Sequence, residues 1–352
     1  MGFYSNEIVF EGHPDKVCDQ ISDALLDAYM KNDNTSRCGI EVVGGKGQIF
    51  ITGEVTSKKQ VYVPGIVRDV LRDVGYKTDY KIINNIGIQS PDISQGVDIG
   101  GAGDQGMMFG YACRDTDNYI PTAMAILQDL SMYYSRLSHY DDRFLPDGKA
   151  QITGYYENGK LKYIKDFTIS YQNTEQQRDV TDYIIKSACE GICADYGVTI
   201  HDFHINPTGK FFIGGFDGDA GLTGRKVVVD NYQSFANVGG GAFSGKDPTK
   251  VDRSGAYKAR QIAIEFLQEH KEYYWCEVQL SYAIGMKEPL AIYIKTDKGD
   301  YDGDISWLYE ECTPERIIND LHLRDTEKLQ YYYTAKFGHF GHSQFPWERV
   351  KE

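Results

Sequence analysis

Residues 14–55 read PDKVCDQISDALLDAYMKNDNTSRCGIEVVGGKGQIFITGEV, and the two periodicities inside this stretch set the architecture. Pro14 is a favoured first helical residue, and the pattern predicts a helix over 14–31. Val17, Ile21, Leu25 and Ala28 recur at helical spacing as an apolar stripe, so Asp19, Asp23 and Asp27 are expected to face solvent. The period then falls to two. Strands are predicted over 39–43 and 48–55 around a Gly44-Gly45-Lys46-Gly47 turn, followed by a helix over 58–74. The same order returns as a helix over 121–137, a hairpin over 150–171 turning at Asn158-Gly159, and a helix over 175–196. It returns again as a helix over 254–271, a hairpin over 275–296 turning near Lys287-Glu288, and a helix from Thr313-Pro314 to about Leu323. Helix, hairpin, helix, repeated along the chain, predicts an α+β protein of three similar domains. The joins, 77–119 and 197–253, carry most of the glycine-rich charged sequence, and function is expected there.

Bulk properties narrow the classes of function. The chain has 352 residues, 41% hydrophobic and 25% charged, which suits a soluble globular protein of two or three domains. Its formal charge of −14 repels nucleic acid and anionic membranes, so neither is expected as a partner. No apolar run reaches the length of a membrane span, and MGFYSNEIVFEG is not a signal peptide, so a cytoplasmic location is expected. The seven cysteines form no CxxC pair and read as reduced thiols, with Cys189 and Cys193 buried on a helix. His339 and His342 in GHFGH lack nearby Cys or carboxylate partners and read as structural.

Against this acidic background, residues 225–260 are basic. Arg225, Lys226, Lys246, Lys250, Arg253, Lys258 and Arg260 face only Asp230, Asp247 and Asp252. The island is expected to hold a small anion, although a solvated helix face would account for Lys258 and Arg260. At its centre lies GGGAFSGKDPTKVDR, residues 239–253, where glycines allow close backbone approach to a polyanion and Lys246 and Lys250 supply charge. Asp252 adds a hard oxygen ligand suited to Mg²⁺ on phosphate. The segment is not a P-loop, because Asp247 stands where that motif needs Ser or Thr and no apolar strand leads into it.

Three further constellations stand out. Glu11-Gly12-His13-Pro14-Asp15-Lys16 opens the first helix, whose positive end favours an anion; His13 could donate to a departing oxygen and Asp15 could hold a second Mg²⁺. Gly101-Ala102-Gly103-Asp104-Gln105-Gly106 matches GxGxxG, but without a preceding strand and following helix it reads as a glycine-hinged lid bearing Asp104. From Pro207 to Lys226, Phe211 offers a stacking surface, Asp219 a carboxylate, and Arg225-Lys226 a phosphate clamp.

Taken together, EGHPDKVCDQISDALLDA, GAGDQGMMFGYA, PTGKFFIGGFDGDAGLTGRKVVVDNY, GGGAFSGKDPTKVDRSGAY and FGHFGHSQFPWE resemble the S-adenosylmethionine synthetase (methionine adenosyltransferase) family, in the family's order from residue 11 to 348. The resemblance implies three similar domains about a pseudo-threefold axis, with boundaries expected at 1–97, 98–212 and 213–352. It implies attack of the methionine sulfur on C5′ of ATP, then hydrolysis of tripolyphosphate to pyrophosphate and phosphate. It also implies Mg²⁺, two per site, and K⁺. Carried over by motif, Asp15 and Asp252 correspond to Mg²⁺ ligands and Glu41 to the K⁺ ligand. His13, Lys149, Arg225, Lys246 and Lys250 take the catalytic roles. Asp147, Lys149, Lys210, Phe211, Asp219, Arg225, Lys226, Ala242, Lys246 and His13 correspond to the ATP contacts. Glu54, Gln95, Asp104, Asp219, Lys250 and Ile284 correspond to the methionine side. Sites between two subunits are implied, with Asp104 from the neighbour, in a homodimer or homotetramer. Two features depart from the family pattern: Lys210 stands where many relatives have Arg, and the lid from Gln95 to Gly103 is short. Two other functions are compatible with parts of the pattern, a phosphohydrolase without methionine and a non-catalytic subunit; ATP supplied with and without methionine discriminates them.

Overall fold

In the computed structural model the described residues are 2–88, 100–157, 159–174 and 178–349. Among these residues three four-stranded sheets carry the architecture. The first is built on the predicted hairpin: β2 (Arg37–Gly45) and β3 (Gln48–Thr56) turn at Lys46 and Gly47, both with positive φ. Helix α1 (Pro14–Asn32) precedes this hairpin and α2 (Val63–Val74) follows it, ending on Gly75 in the left-handed region. Strand β4 (Lys81–Gly87) then lies parallel to β3.

The second unit has the same plan. Helix α3 (Thr122–Tyr140) leads into the hairpin of β6 (Phe144–Glu157) and β7 (Lys160–Asn173). Helix α4 (Arg178–Asp195) follows, and β8 (Ile200–Ile205) lies parallel to β7. In the third unit α5 (Val251–Glu269) precedes β10 (Trp275–Tyr282) and β11 (Ala291–Thr296). Here the plan changes: the fourth strand, β12 (Gly299–Asp300), follows at once and runs antiparallel to β11. The expected final helix is α6 (Pro314–Asp320).

The strands that complete each sheet come from elsewhere in the chain. β1 (Gly2–Val9) pairs antiparallel with β6, β5 (Gly106–Cys113) with β10, and β9 (Gly221–Leu222) with β2. None of these exchanged strands was anticipated, and β5 explains GxGxxG: the strand follows that motif instead of leading into it.

Two expectations are corrected. Asp19 and Asp23 do not face solvent; both are fully buried, and Asp27 is half-buried. From Pro14 to Asp23 helix α1 is enclosed by its neighbours, which include β2, α2, β9 and α7 (Tyr331–Phe337). Its aspartates therefore serve as acceptors inside the protein. Asp19 accepts from Gly224 N at 2.8 Å, Asp23 from Gly245 N at 2.8 Å, and Asp27 from the amides of Tyr331 and Tyr332 at 2.8 and 2.9 Å. Burial pushes the carboxyls of Asp19 and Asp27 up to about 7. The alternative of a solvated face for Lys258 and Arg260 is corrected too. Both are buried, Lys258 against Glu311 at 3.3 Å and Arg260 against Glu348 at 2.7 Å. With Arg253 on Asp23, they are fold cations and leave the anion-binding part of the island smaller.

His339 is buried, with Nδ1 2.8 Å from the Tyr257 hydroxyl, and its carbonyl accepts from Trp347 Nε1 at 2.8 Å, as a structural histidine should. All seven cysteines are free and buried. Among the described residues no helix is long and apolar enough to cross a membrane.

Candidate active site

The site is organised by α1, whose first three turns hold two groups of side chains. The first group surrounds the helix N-terminus. His13 is the N-cap, and its Nδ1 accepts from Asp15 N at 3.2 Å, so the neutral ring carries its proton on Nε2. Burial, and after it the Lys226 charge, lower the His13 pKa to about 4. The imidazole is therefore neutral at pH 7, a hydrogen-bond donor and not a cation.

The strap that presents His13 is tied at several points. Gly12 N donates to Pro146 O at 3.1 Å, Tyr76 Oη donates to Gly12 O at 2.8 Å, and Gln20 Nε2 donates to Glu11 O at 2.7 Å. Lys336 pairs with the buried Glu11 carboxylate at 2.6 Å. Asp15 is buried and receives Leu222 N at 3.0 Å, Arg225 at 3.4 Å and the Lys226 ammonium. These contacts place Arg225 and Lys226 beside the helix end. They need β9 very close: a Cβ on Gly221 would collide with the Pro14 carbonyl. Lys149, on β6, pairs with Glu7 of β1 at 2.6 Å, and its charge reaches His13, as does that of the exposed Asp219.

Asp147 belongs to this group as a holder. It is buried, accepts from Gly215 N at 2.7 Å, and burial raises its carboxyl to about 6. Gln172 links it to the 210–212 segment, accepting from Asp147 N at 3.4 Å and donating to Phe212 O at 3.0 Å. In that segment Lys210 is exposed, 6.0 Å from the Phe212 ring centroid, and Phe211 is half-buried.

The second group is fastened further along α1. Gly245 binds Asp23, and Lys246 bridges to Gly39 of β2, opposite Glu54 on β3. From Asp15 to Asp23 the helix rises about 12 Å. Lys246 pairs with Asp252, which is crowded by glycines: a Cβ on Gly241 would meet its carboxylate. Lys250 pairs with the buried Asp247 at 2.6 Å. Against the upward push of burial, Lys250 and the amides of Thr249 and Cys38 hold Asp247 below the usual carboxylate range.

The 101–106 segment also lies here. Ala102 N donates to Met286 O and Gly285 N to Ala102 O, each at 2.8 Å, so this part of the expected lid is pinned to the turn carrying the exposed Ile284. Asp104 is exposed, and Glu41 is exposed on the sheet face that also carries Glu54. Ala242 lies between the groups, beside Gly224. Gln95, with most of the lid, is outside the described residues.

The donor sets suit Mg²⁺ on phosphate. Asp15 and Asp252 each already hold a lysine ammonium, which marks a position where a cation is favoured. Mg²⁺ whose remaining ligands are water and phosphate oxygens takes only one or two protein carboxylates. The potassium expectation rests on Glu41 alone. Sequence reasoning missed the positioning residues Glu7, Tyr76, Asp147 as a holder, and Gln172; nothing in their local spacing marks them.

Comparisons with known proteins cover nearly the whole chain. Family models described as the N-terminal, central and C-terminal domains of S-adenosylmethionine synthetase match residues 2–91, 99–211 and 213–349. The chain belongs to the S-adenosylmethionine synthetase family. It is 41% identical to the S-adenosylmethionine synthase of Synechococcus sp. (strain WH7803), covering 99% of this chain and 94% of that protein. It is 39% identical to that of Prochlorococcus marinus (strain MIT 9301), over 99% of this chain and 96% of that one. The latter alignment spans 396 positions against 352 residues here, so these relatives carry insertions that this chain lacks.

Proposed function

We propose that the protein synthesises S-adenosylmethionine from ATP and L-methionine, by attack of the methionine sulfur on C5′ followed by hydrolysis of the tripolyphosphate. The observation that carries this reading is the neutral N-cap His13 surrounded by Lys149, Arg225 and Lys226. A sulfur lone pair forms the S–C5′ bond as the C5′–O electron pair departs with the triphosphate. His13 Nε2–H donates to that departing oxygen, and the lysines and arginine stabilise its charge without supplying a nucleophile. Water then breaks a P–O bond in the retained tripolyphosphate, giving pyrophosphate and phosphate. Mg²⁺ held by Asp15 and Asp252 would neutralise phosphate charge. When phosphates arrive, Lys226 and Lys246 exchange their carboxylate partners for phosphate oxygens. Glu54, Asp104, Ile284 and, in the segment not described, Gln95 form the methionine side in this reading.

We further propose that each site is shared by two copies of the chain. Support comes from the separation of the two groups along α1: Arg225 and Lys226 bond within the first and Lys246 within the second. The three segments 1–97, 98–212 and 213–352 then act as units about a pseudo-threefold axis, a reading supported by their common helix-hairpin order. The decisive experiment scores purified protein with ATP, methionine, Mg²⁺ and K⁺ for S-adenosylmethionine and both phosphate products. Mixing Lys226→Met with Lys246→Met chains tests sharing. Random reassortment of a dimer restores about a quarter of wild-type activity if sites are shared, and none if each chain holds a whole site. Phosphate release without S-adenosylmethionine would overturn the main reading.

A further inference from the structure

Between the β6–β7 hairpin and the end of the β5–β10 pair lies a cavity of about 460 Å³, away from the groups on α1. Its walls are aromatic: Tyr4, Tyr111, Phe235, Tyr274 and Trp275 line it. Tyr111 and Trp275 sit 6.0 Å apart between centroids, and Tyr4 meets Phe235 edge-on at 6.1 Å.

Two carboxylates, Asp115 and Asp297, complete the lining. Asp115 accepts from the Tyr274 hydroxyl and from Thr122 N at 3.3 Å; Asp297 accepts from the amides of Tyr274 at 2.8 Å and Trp275 at 3.4 Å. These partners are uncharged, so they orient both acids without cancelling their charge. Burial, and after it Asp115, push the phenols of Tyr4 and Tyr274 upward, so the negative field extends across the cavity. Among the described residues the one basic lining side chain is Lys160 on the exposed hairpin turn, its ammonium 4.8 Å from the Tyr274 ring centroid. The chain thus already places a cation on this aromatic face, and does so with a side chain free to swing into solvent.

We propose that this cavity binds a small alkylated onium cation, a quaternary ammonium or a sulfonium, in place of the Lys160 ammonium. A neutral apolar ligand would leave both carboxylates uncompensated, and an anion would be repelled. Aromatic faces attract a positive charge spread over alkyl groups, which gives up less hydration than a primary ammonium does.

The test uses the full chain with Trp307→Phe, so that Trp275 emission is read over the buried Trp347. Choline and trimethylsulfonium chloride are titrated separately, and the neutral carbon analogue of choline, dimethylbutanol, is the control. Saturable quenching by either cation is expected, and which of the two binds identifies the source chemistry. Affinity should fall about tenfold for the neutral analogue and for Asp115→Asn, which keeps the acceptor for Tyr274, and rise about threefold for Lys160→Ala. Should Asp115→Asn fail to fold, Lys160→Ala with cation against neutral analogue still decides. No saturable response to either cation in Lys160→Ala, or equal binding of the neutral analogue, overturns the proposal.

Discussion

Asp23→Ala is the most informative single change to the frame of this protein. The aspartate and Arg253 are both fully buried and form a two-armed pair, Nη1 to Oδ1 at 2.7 Å and Nη2 to Oδ2 at 2.8 Å. Asp23 also accepts from Gly245 N, while Arg253 donates to Thr334 Oγ1 at 3.0 Å, Tyr257 Oη at 2.9 Å and Lys246 O at 3.2 Å. Removing the carboxylate leaves a buried guanidinium and a buried amide without their acceptor. Breaking one partner of such a pair costs about 3–5 kcal/mol, a large part of the roughly 5–15 kcal/mol that holds a typical protein folded. Urea unfolding followed through Trp347 suits the measurement, because that indole stacks on Tyr257 at 3.6 Å. The double variant Asp23→Leu with Arg253→Met should be less destabilised than Asp23→Ala, since it buries no unpaired charge. A loss below about 1 kcal/mol for Asp23→Ala would place the residue on a solvated face and refute the reasoning.

Two further outcomes are expected. His13 should titrate near 4 by NMR in the free protein. Because that value lies below the ordinary 6.5, the neutral ring is favoured by folding, and its share of stability is complete above about 6.5 and lost as pH falls toward 4. A titration well above 7 would remove the neutral-donor role, and one at the ordinary value would show that burial and Lys226 do not act on the ring. Gly221→Ala should keep the overall fold by circular dichroism yet lower turnover at least about tenfold, by displacing Arg225 and Lys226 from the end of α1; unchanged kinetics would show that this close approach is dispensable.

Much of this fold could be read from sequence, and the parts that could not share a cause. Hairpins and helices announce themselves through local period, so β2–β3, β6–β7 and β10–β11 and the helices before them fall where the pattern puts them. The exchanged strands β1, β5 and β9 pair with residues more than a hundred positions away, and nothing local specifies such a partner. The same blindness inverted Asp19 and Asp23: a polar stripe means solvent only when a helix has a solvent side, and α1 has none there. At the site, His13, Asp15, Lys226, Lys246 and Asp252 were legible because glycines and charges cluster around them. Tyr76 and Gln172 were not, because each acts by gripping backbone from a distant element.

The exchanged strands also set a timetable for synthesis. β1 leaves the ribosome well before its partner β6, which ends at Glu157. At about 5–20 residues per second, the strand waits roughly 7–30 s with both edges unpaired. β5 waits as long again for β10, while β9 arrives late to close a sheet made early. Each exchanged strand is a place where a neighbouring nascent chain on the same message could pair first. Truncation after the first family-matched segment should therefore yield an aggregating fragment instead of a folded domain.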